Sequence, residues 1–312
     1  MLSTVFFGLG LACTLQPSGR TATFLRVRFA CTDDEVLRAE RRLLLYQVHP
    51  GIDPARAGNI CVLLQSRLSL SDLELKKVVL RHPAVLNYSY EATIVPSLAA
   101  LQSRLSLSEP ELKKVVLKLP SVLGYSYETN IAPSLAALQS RLSLSELELK
   151  KVVLGLPAVL GCSYEANIAP SLAALQSRLS LSEPELKKVV LKLPSVLSCS
   201  YEANIAPSLA ALQSRLSLSE PELKKVVLRL PAVLSCSYEA NIAPSLAALQ
   251  SRLPLSEPEL KRVVLRSPCG AQLQLRGQHR AVAGGAAVAA LAERAGAEED
   301  GAGAPFGAQL QL

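Results

Sequence analysis

Six prolines recur every 37 residues: Pro83, Pro120, Pro157, Pro194, Pro231 and Pro268. Leu64, Leu101, Leu138, Leu175, Leu212 and Leu249 keep the same step, and each is followed by Gln-Ser-Arg. A fixed period of roughly 20–50 residues marks a stack of structural repeats. No unit this short buries its apolar stripe alone, so neighbouring units must cover one another.

The stretch Ser89–Tyr125 is one such unit. Ile94, Leu98, Leu101 and Leu105 follow helical spacing and predict a first helix, helix A, over Glu91–Leu105. Pro96 lies inside it, so either the helix starts near Pro96 or an earlier turn kinks there. Ser106–Ser108 is the turn. Ser108-Glu109-Pro110-Glu111 is a capping box with proline in the first turn, where a missing N–H costs little. Leu112, Val115, Val116 and Leu119 then give helix B its apolar face, and Pro120 ends it. Residues 121–125 are too few for another long helix and predict a 3₁₀ turn. The expected fold class is all-α, a superhelical solenoid of helix-turn-helix repeats of 37 residues.

The flanks are read by composition. Residues 1–30 carry Arg20, Arg26 and Arg28, several Ser and Thr, and no acid, which predicts an organelle targeting segment outside the fold. A secretory apolar run at Val5–Cys13, or the first half of a bipartite plastid signal, is the second reading, and a weak amphipathic core helix is the third. Residues 31–52 predict an N-terminal cap with a helix at Glu35–Tyr46, and Pro50–Leu68 resembles a worn copy of helix A. Six repeats then fill 53–268. Residues 269–312 turn abruptly to Gly and Ala and predict a low-complexity, disordered tail. Within it Gly270–Leu275 repeats as Gly307–Leu312, again 37 apart, and for one choice of synonymous codons Gln274–Ala281 matches the repeat translated in another frame, which predicts a frameshift just after Pro268. Such a tail was not shaped to cover the last repeat, which leaves its C-terminal flank open to self-association.

The helix-B segment Glu-Leu-Lys-Lys-Val-Val-Leu, the Leu-Pro-x-Val-Leu that closes it and the Ser-Tyr-Glu lead-in resemble the repeat of the mitochondrial transcription termination factor (mTERF) family over about 53–268. Family units often place Gly in the inter-helix turn, where this chain has Ser69, Ser106, Ser143, Ser180 and Ser217. The resemblance implies a nucleic-acid partner, organellar DNA or RNA, and a role in transcription, termination or ribosome assembly in a mitochondrion or plastid. The residues available for phosphate contact are the helix-B cations: Lys77 and Arg81, Lys114 and Lys118, Lys151, Lys188 and Lys192, Lys225 and Arg229, Arg262 and Arg266. Lys151 stands without its fellow because Gly155 occupies that place. Residues 53–268 hold 24 basic against 18 acidic side chains, which suits a polyanion. The competing reading pairs Glu111 with Lys114 on a solvated helix face. Tyr90, Tyr127, Tyr164, Tyr201 and Tyr238, one per unit, read as packing residues rather than base-stacking platforms.

Catalytic, metal and cofactor sites are not expected. His49, His82 and His279 form no set with a nucleophile, and the seven cysteines fall at no CxxC spacing. No apolar run reaches the roughly 18 residues of a membrane span. The alternative of a different class is a protein-binding helical scaffold without nucleic-acid activity.

Overall fold

The computed structural model describes residues 19–45, 52–235, 238–252 and 256–266. Every regular element among them is helical. The chain divides into two compact units, one of residues 1–137 and 145–161, the other of 138–144 and 162–312. The first holds α1 (Arg20–Phe29), α2 (Asp33–Leu45), α3 (Pro54–Leu68), α4 (Asp72–Arg81), α5 (Val95–Arg104), α6 (Glu109–Lys118) and α8 (Glu146–Gly155); α7 (Ala132–Leu142) begins in it and ends in the other. The second holds α9 (Ala169–Leu179), α10 (Glu183–Lys192), α11 (Ala206–Arg215), α12 (Glu220–Arg229), α13 (Ala243–Arg252) and α14 (Glu257–Arg266). The fold class is all-α, a solenoid of helix pairs about 37 residues apart.

Each pair is built as its sequence dictates. Both readings of Pro96 are realised: Tyr90–Ile94 forms one π turn, and α5 starts at Val95 with Pro96 in its first turn. The Val95 N–H reaches back five residues to the Tyr90 carbonyl, and such a wide turn accommodates a following residue that has no N–H. Helix A ends with Ser106 at φ 47°, in the left-handed region. Ser69, Ser143, Ser180 and Ser217 adopt the same conformation, which is why glycine suits this position elsewhere in such repeats. Helix B carries its capping box at Ser71, Ser108, Ser145, Ser182 and Ser219. It buries Leu112, Val115 and Val116 in α6 and ends at Lys118, before the 3₁₀ turn Pro120–Gly124.

The N-terminal boundary differs from the expectation. Residues 20–29 are part of the fold: α1 buries Thr21, Ala22, Phe24, Leu25 and Phe29 and packs on α2 and α3. The core-helix reading ranks third in the sequence because Arg20, Arg26 and Arg28 dominate the composition and the apolar stripe is short. The expectations for residues 1–18, for the tail from 267 onward, for His49 and Cys236, and for the side chain of Arg266 lie outside the described residues.

Successive pairs also interlock by size. A Cβ on Gly124 would stand 2.5 Å from the Tyr88 hydroxyl oxygen, and one on Gly161 would stand 2.7 Å from that of Tyr125. Where the ring gives way to Cys162 and Cys199, the residues one repeat ahead are Ser198 and Ser235. Large with absent, small with small: the two positions vary together. Cys31, Cys61, Cys162 and Cys199 are free thiols, and burial pushes Cys61 up to about 11.

Candidate nucleic-acid interface

Helix B presents its cations in three different states. The first lysine of each pair joins repeats. Lys113 Nζ lies 2.8 Å from Glu74 Oε2 and 2.8 Å from the Ser69 carbonyl, both in the preceding repeat. Lys150 repeats this on Glu111 at 2.7 Å and the Ser106 carbonyl at 2.8 Å. In the second unit Lys224 holds Glu185 and Ser180, Lys261 holds Glu222 and Ser217, and Lys187 donates to the Ser143 carbonyl. The Lys150 ammonium, followed by the Ser108 backbone N–H, holds the Glu111 carboxyl down at about 2. Glu111 therefore pairs with the next repeat, and the expected Glu111–Lys114 pair on one helix face is not made.

The second lysine is left to solvent. Lys77, Lys114 and Lys151 in the first unit, and Lys188 and Lys225 in the second, are exposed. They have no hydrogen bond or ion pair among the described residues. Arg262 occupies the same position on α14, exposed, with its charge acting on Glu259. Helix-B neighbours lie side by side, α4 on α6 on α8 and, separately, α10 on α12 on α14. Packed helices stand roughly 8–10 Å apart. That is about one Debye length at 0.1 M salt, so the charges within a unit reinforce one another's potential.

The third state belongs to the cation four residues on. Arg81 donates to the Leu117 carbonyl at 3.2 Å, Lys118 to Leu154 at 3.5 Å, Lys192 to Leu228 at 3.2 Å and Arg229 to Leu265 at 2.7 Å. Each satisfies the carbonyl end of the next helix B, where a positive charge meets the negative end of the helix dipole. These four are exposed but partly committed, so the expected pairs resolve into one free and one capping cation.

Helix A adds a clamp that spacing did not reveal. Arg67 reaches Gln102 at 2.7 Å and Glu109 at 2.6 Å in the following repeat, and Gln102 itself donates to Glu109 at 3.0 Å. Arg141, Arg178 and Arg215 repeat it in the second unit. The invariant Gln-Ser-Arg was the visible signal. Tyr90 is half-buried, with its hydroxyl 3.5 Å from the Leu63 carbonyl, and Tyr164 is buried, so these rings pack between repeats.

Among the described residues no three His, Cys, Asp or Glu side chains gather to hold a metal, and no helix is long and apolar enough to cross a membrane. What recurs from pair to pair is a helix-turn-helix stapled by lysine and closed by proline. The mTERF family model matches residues 34–180 and 167–276. The chain belongs to the mTERF family. No curated protein matches it. mTERF proteins are in general non-enzymatic helical-repeat proteins of organelles that bind nucleic acid. The mTERF match opens inside α2, leaving α1 outside it.

Proposed function

We propose that this mTERF protein binds organellar nucleic acid, in a mitochondrion or plastid, through the helix-B cations that face solvent in each of its two units, and thereby acts on transcription, termination or ribosome assembly. The observation that carries this reading is the split within each Lys-Lys pair. One lysine is consumed in joining repeats, while Lys77, Lys114, Lys151, Lys188 and Lys225 have no partner among the described residues. A charge kept free at the same position of five successive helix-B segments, α4 to α12, serves a partner better than it serves the fold. The contacts are to phosphate, because near-identical repeats offer the same side chains at each step and cannot read different bases.

The salt dependence of binding to duplex and single-stranded probes tests this. Six neutralised phosphates predict a log–log slope of about −5. Lys114→Gln and Lys188→Gln each lower the slope by about 1 and leave the melting temperature unchanged. Lys113→Gln lowers the melting temperature and moves the slope little. Absence of salt-dependent binding to either probe overturns the proposal in favour of a protein-binding scaffold.

A further inference from the structure

Residues 20–45 share little sequence with the repeat, yet they make its contacts at a constant offset of 39, as from 32 to 71. Ala30 takes the left-handed turn at φ 46°, as Ser69 does at 48°. Thr32 and Glu35 exchange bonds at 2.9 and 3.3 Å, as Ser71 and Glu74 do at 2.8 and 3.3 Å. Lys76 crosses to Glu35 at 3.0 Å, the counterpart of Lys113 on Glu74. Arg42 caps the Leu80 carbonyl as Arg81 caps Leu117. Arg28 reaches Gln65 at 3.5 Å and Asp72 at 3.3 Å, as Arg67 reaches Gln102 and Glu109.

One turn conformation and four sets of contacts on one offset make α1 and α2 the first repeat of the array, its helix A and its helix B. The basic residues that read as a targeting signature have structural work: Arg26 pairs with Asp33 at 2.7 Å, and Arg28 clamps α3 and α4. Leu25, the largest fully buried side chain of α1, has no exposed surface. A chain beginning at residue 30 would lose these side chains and uncover the faces of α2 and α3 that they close.

We propose that α1 is retained in the working protein, and that any leader removed on import is cut N-terminal to Arg20. The import half rests on the organellar reading above; the retention of α1 does not. The step is hydrolysis by an organellar leader peptidase: one water adds across the peptide bond, leaving a carboxylate on the leader and a new amine on the mature chain.

The test is the N-terminus of the mature protein. The full-length chain, with a C-terminal tag, is expressed in cells, recovered from the organelle fraction and from the cytosol, and its N-terminal peptide is identified by mass spectrometry. Peptides containing Arg26 and Arg28 are expected in the organellar form, with the first residue at or before Arg20. A mature chain that starts between residues 21 and 31 overturns the proposal. A chain found only in the cytosol, starting at Met1, removes the organellar reading and leaves α1 retained. Hydrogen exchange on the full chain gives an independent readout. Amides of residues 24–29 are expected to exchange more slowly than in an unfolded peptide, and exchange at the unfolded rate overturns the repeat assignment.

Discussion

At the scale of single residues, strain and burial sit at positions the repeat cannot avoid. A serine at φ 47°, as at Ser180, holds its Cβ against the preceding backbone, at about 1–2 kcal/mol. Glycine removes that strain but adds up to about 1 kcal/mol of unfolded-chain entropy. The relief wins, so Ser180→Gly is expected to stabilise the protein by about 0.5–1 kcal/mol in urea unfolding. Its carbonyl still accepts from Lys224, because that bond uses only backbone. His82 stands where the next four repeats have leucine, and it is 3% exposed. Burial lowers it to about 4 from an ordinary 6.5. The unfolded chain thus takes up a proton that the folded one refuses. The His82 contribution is complete above pH 6.5 and declines by about 3 kcal/mol as pH falls to 4. The pair His82→Leu and Ala84→Ser copies the next repeat, where Ser121 accepts from the Tyr125 hydroxyl at 3.0 Å. That variant should show a flatter pH profile of stability between 6.5 and 4. The capping boxes and closing prolines were legible residue by residue. The left-handed seat of the serines was not, because serine carries no mark of it.

Between elements, fit is set pairwise across neighbouring repeats. The Tyr88 ring occupies the space that a Gly124 side chain would need. Gly124→Ser is therefore expected to cost about 1–3 kcal/mol, as overpacking does. Adding Tyr88→Cys, which copies the later Cys162 and Ser198, should recover part of it, since it also removes the 2.9 Å bond between Tyr88 and His82, and should give a coupling energy of at least about 0.5 kcal/mol in a double-mutant cycle. Additive losses would show that the positions do not touch in solution. The alternation of Tyr with Gly and Cys with Ser is visible along the chain, but nothing in linear order says that residue 88 meets residue 124. The Lys-Lys pair is similar: its two members look equivalent in the sequence. Helical rotation turns Lys113 toward Glu74 and leaves Lys114 in solvent.

For the whole molecule, stability is a sum of such neighbour terms, and one ionic contact recurs among them from repeat to repeat. Glu74, Glu111, Glu185 and Glu222 are each held at about 2 from an ordinary 4.5, first by the lysine of the next repeat and then by their own capping serine. A depressed carboxyl stabilises above its unfolded value and loses that contribution as pH falls through its folded value. Acid unfolding should thus begin gently below pH 6.5 with His82 and steepen between 4.5 and 2. Being half-buried at the surface, the pairs are still partly screened by salt, so 1 M NaCl should lower the melting temperature at pH 7 and shrink the difference between pH 7 and pH 3.

The period of 37, the prolines and the alternation of apolar residues determined by themselves that this chain is a stack of helix pairs, because those signals are local and repeat without change. Tertiary structure alone decided which cation of each pair is spent and which is free, since that depends on the carboxylates of a neighbour some 40 residues away. It also decided where the array begins. Residues 20–45 kept the geometry of the repeat while losing its letters, for a left-handed turn, a capped helix and a few well-placed charges can be supplied by many sequences.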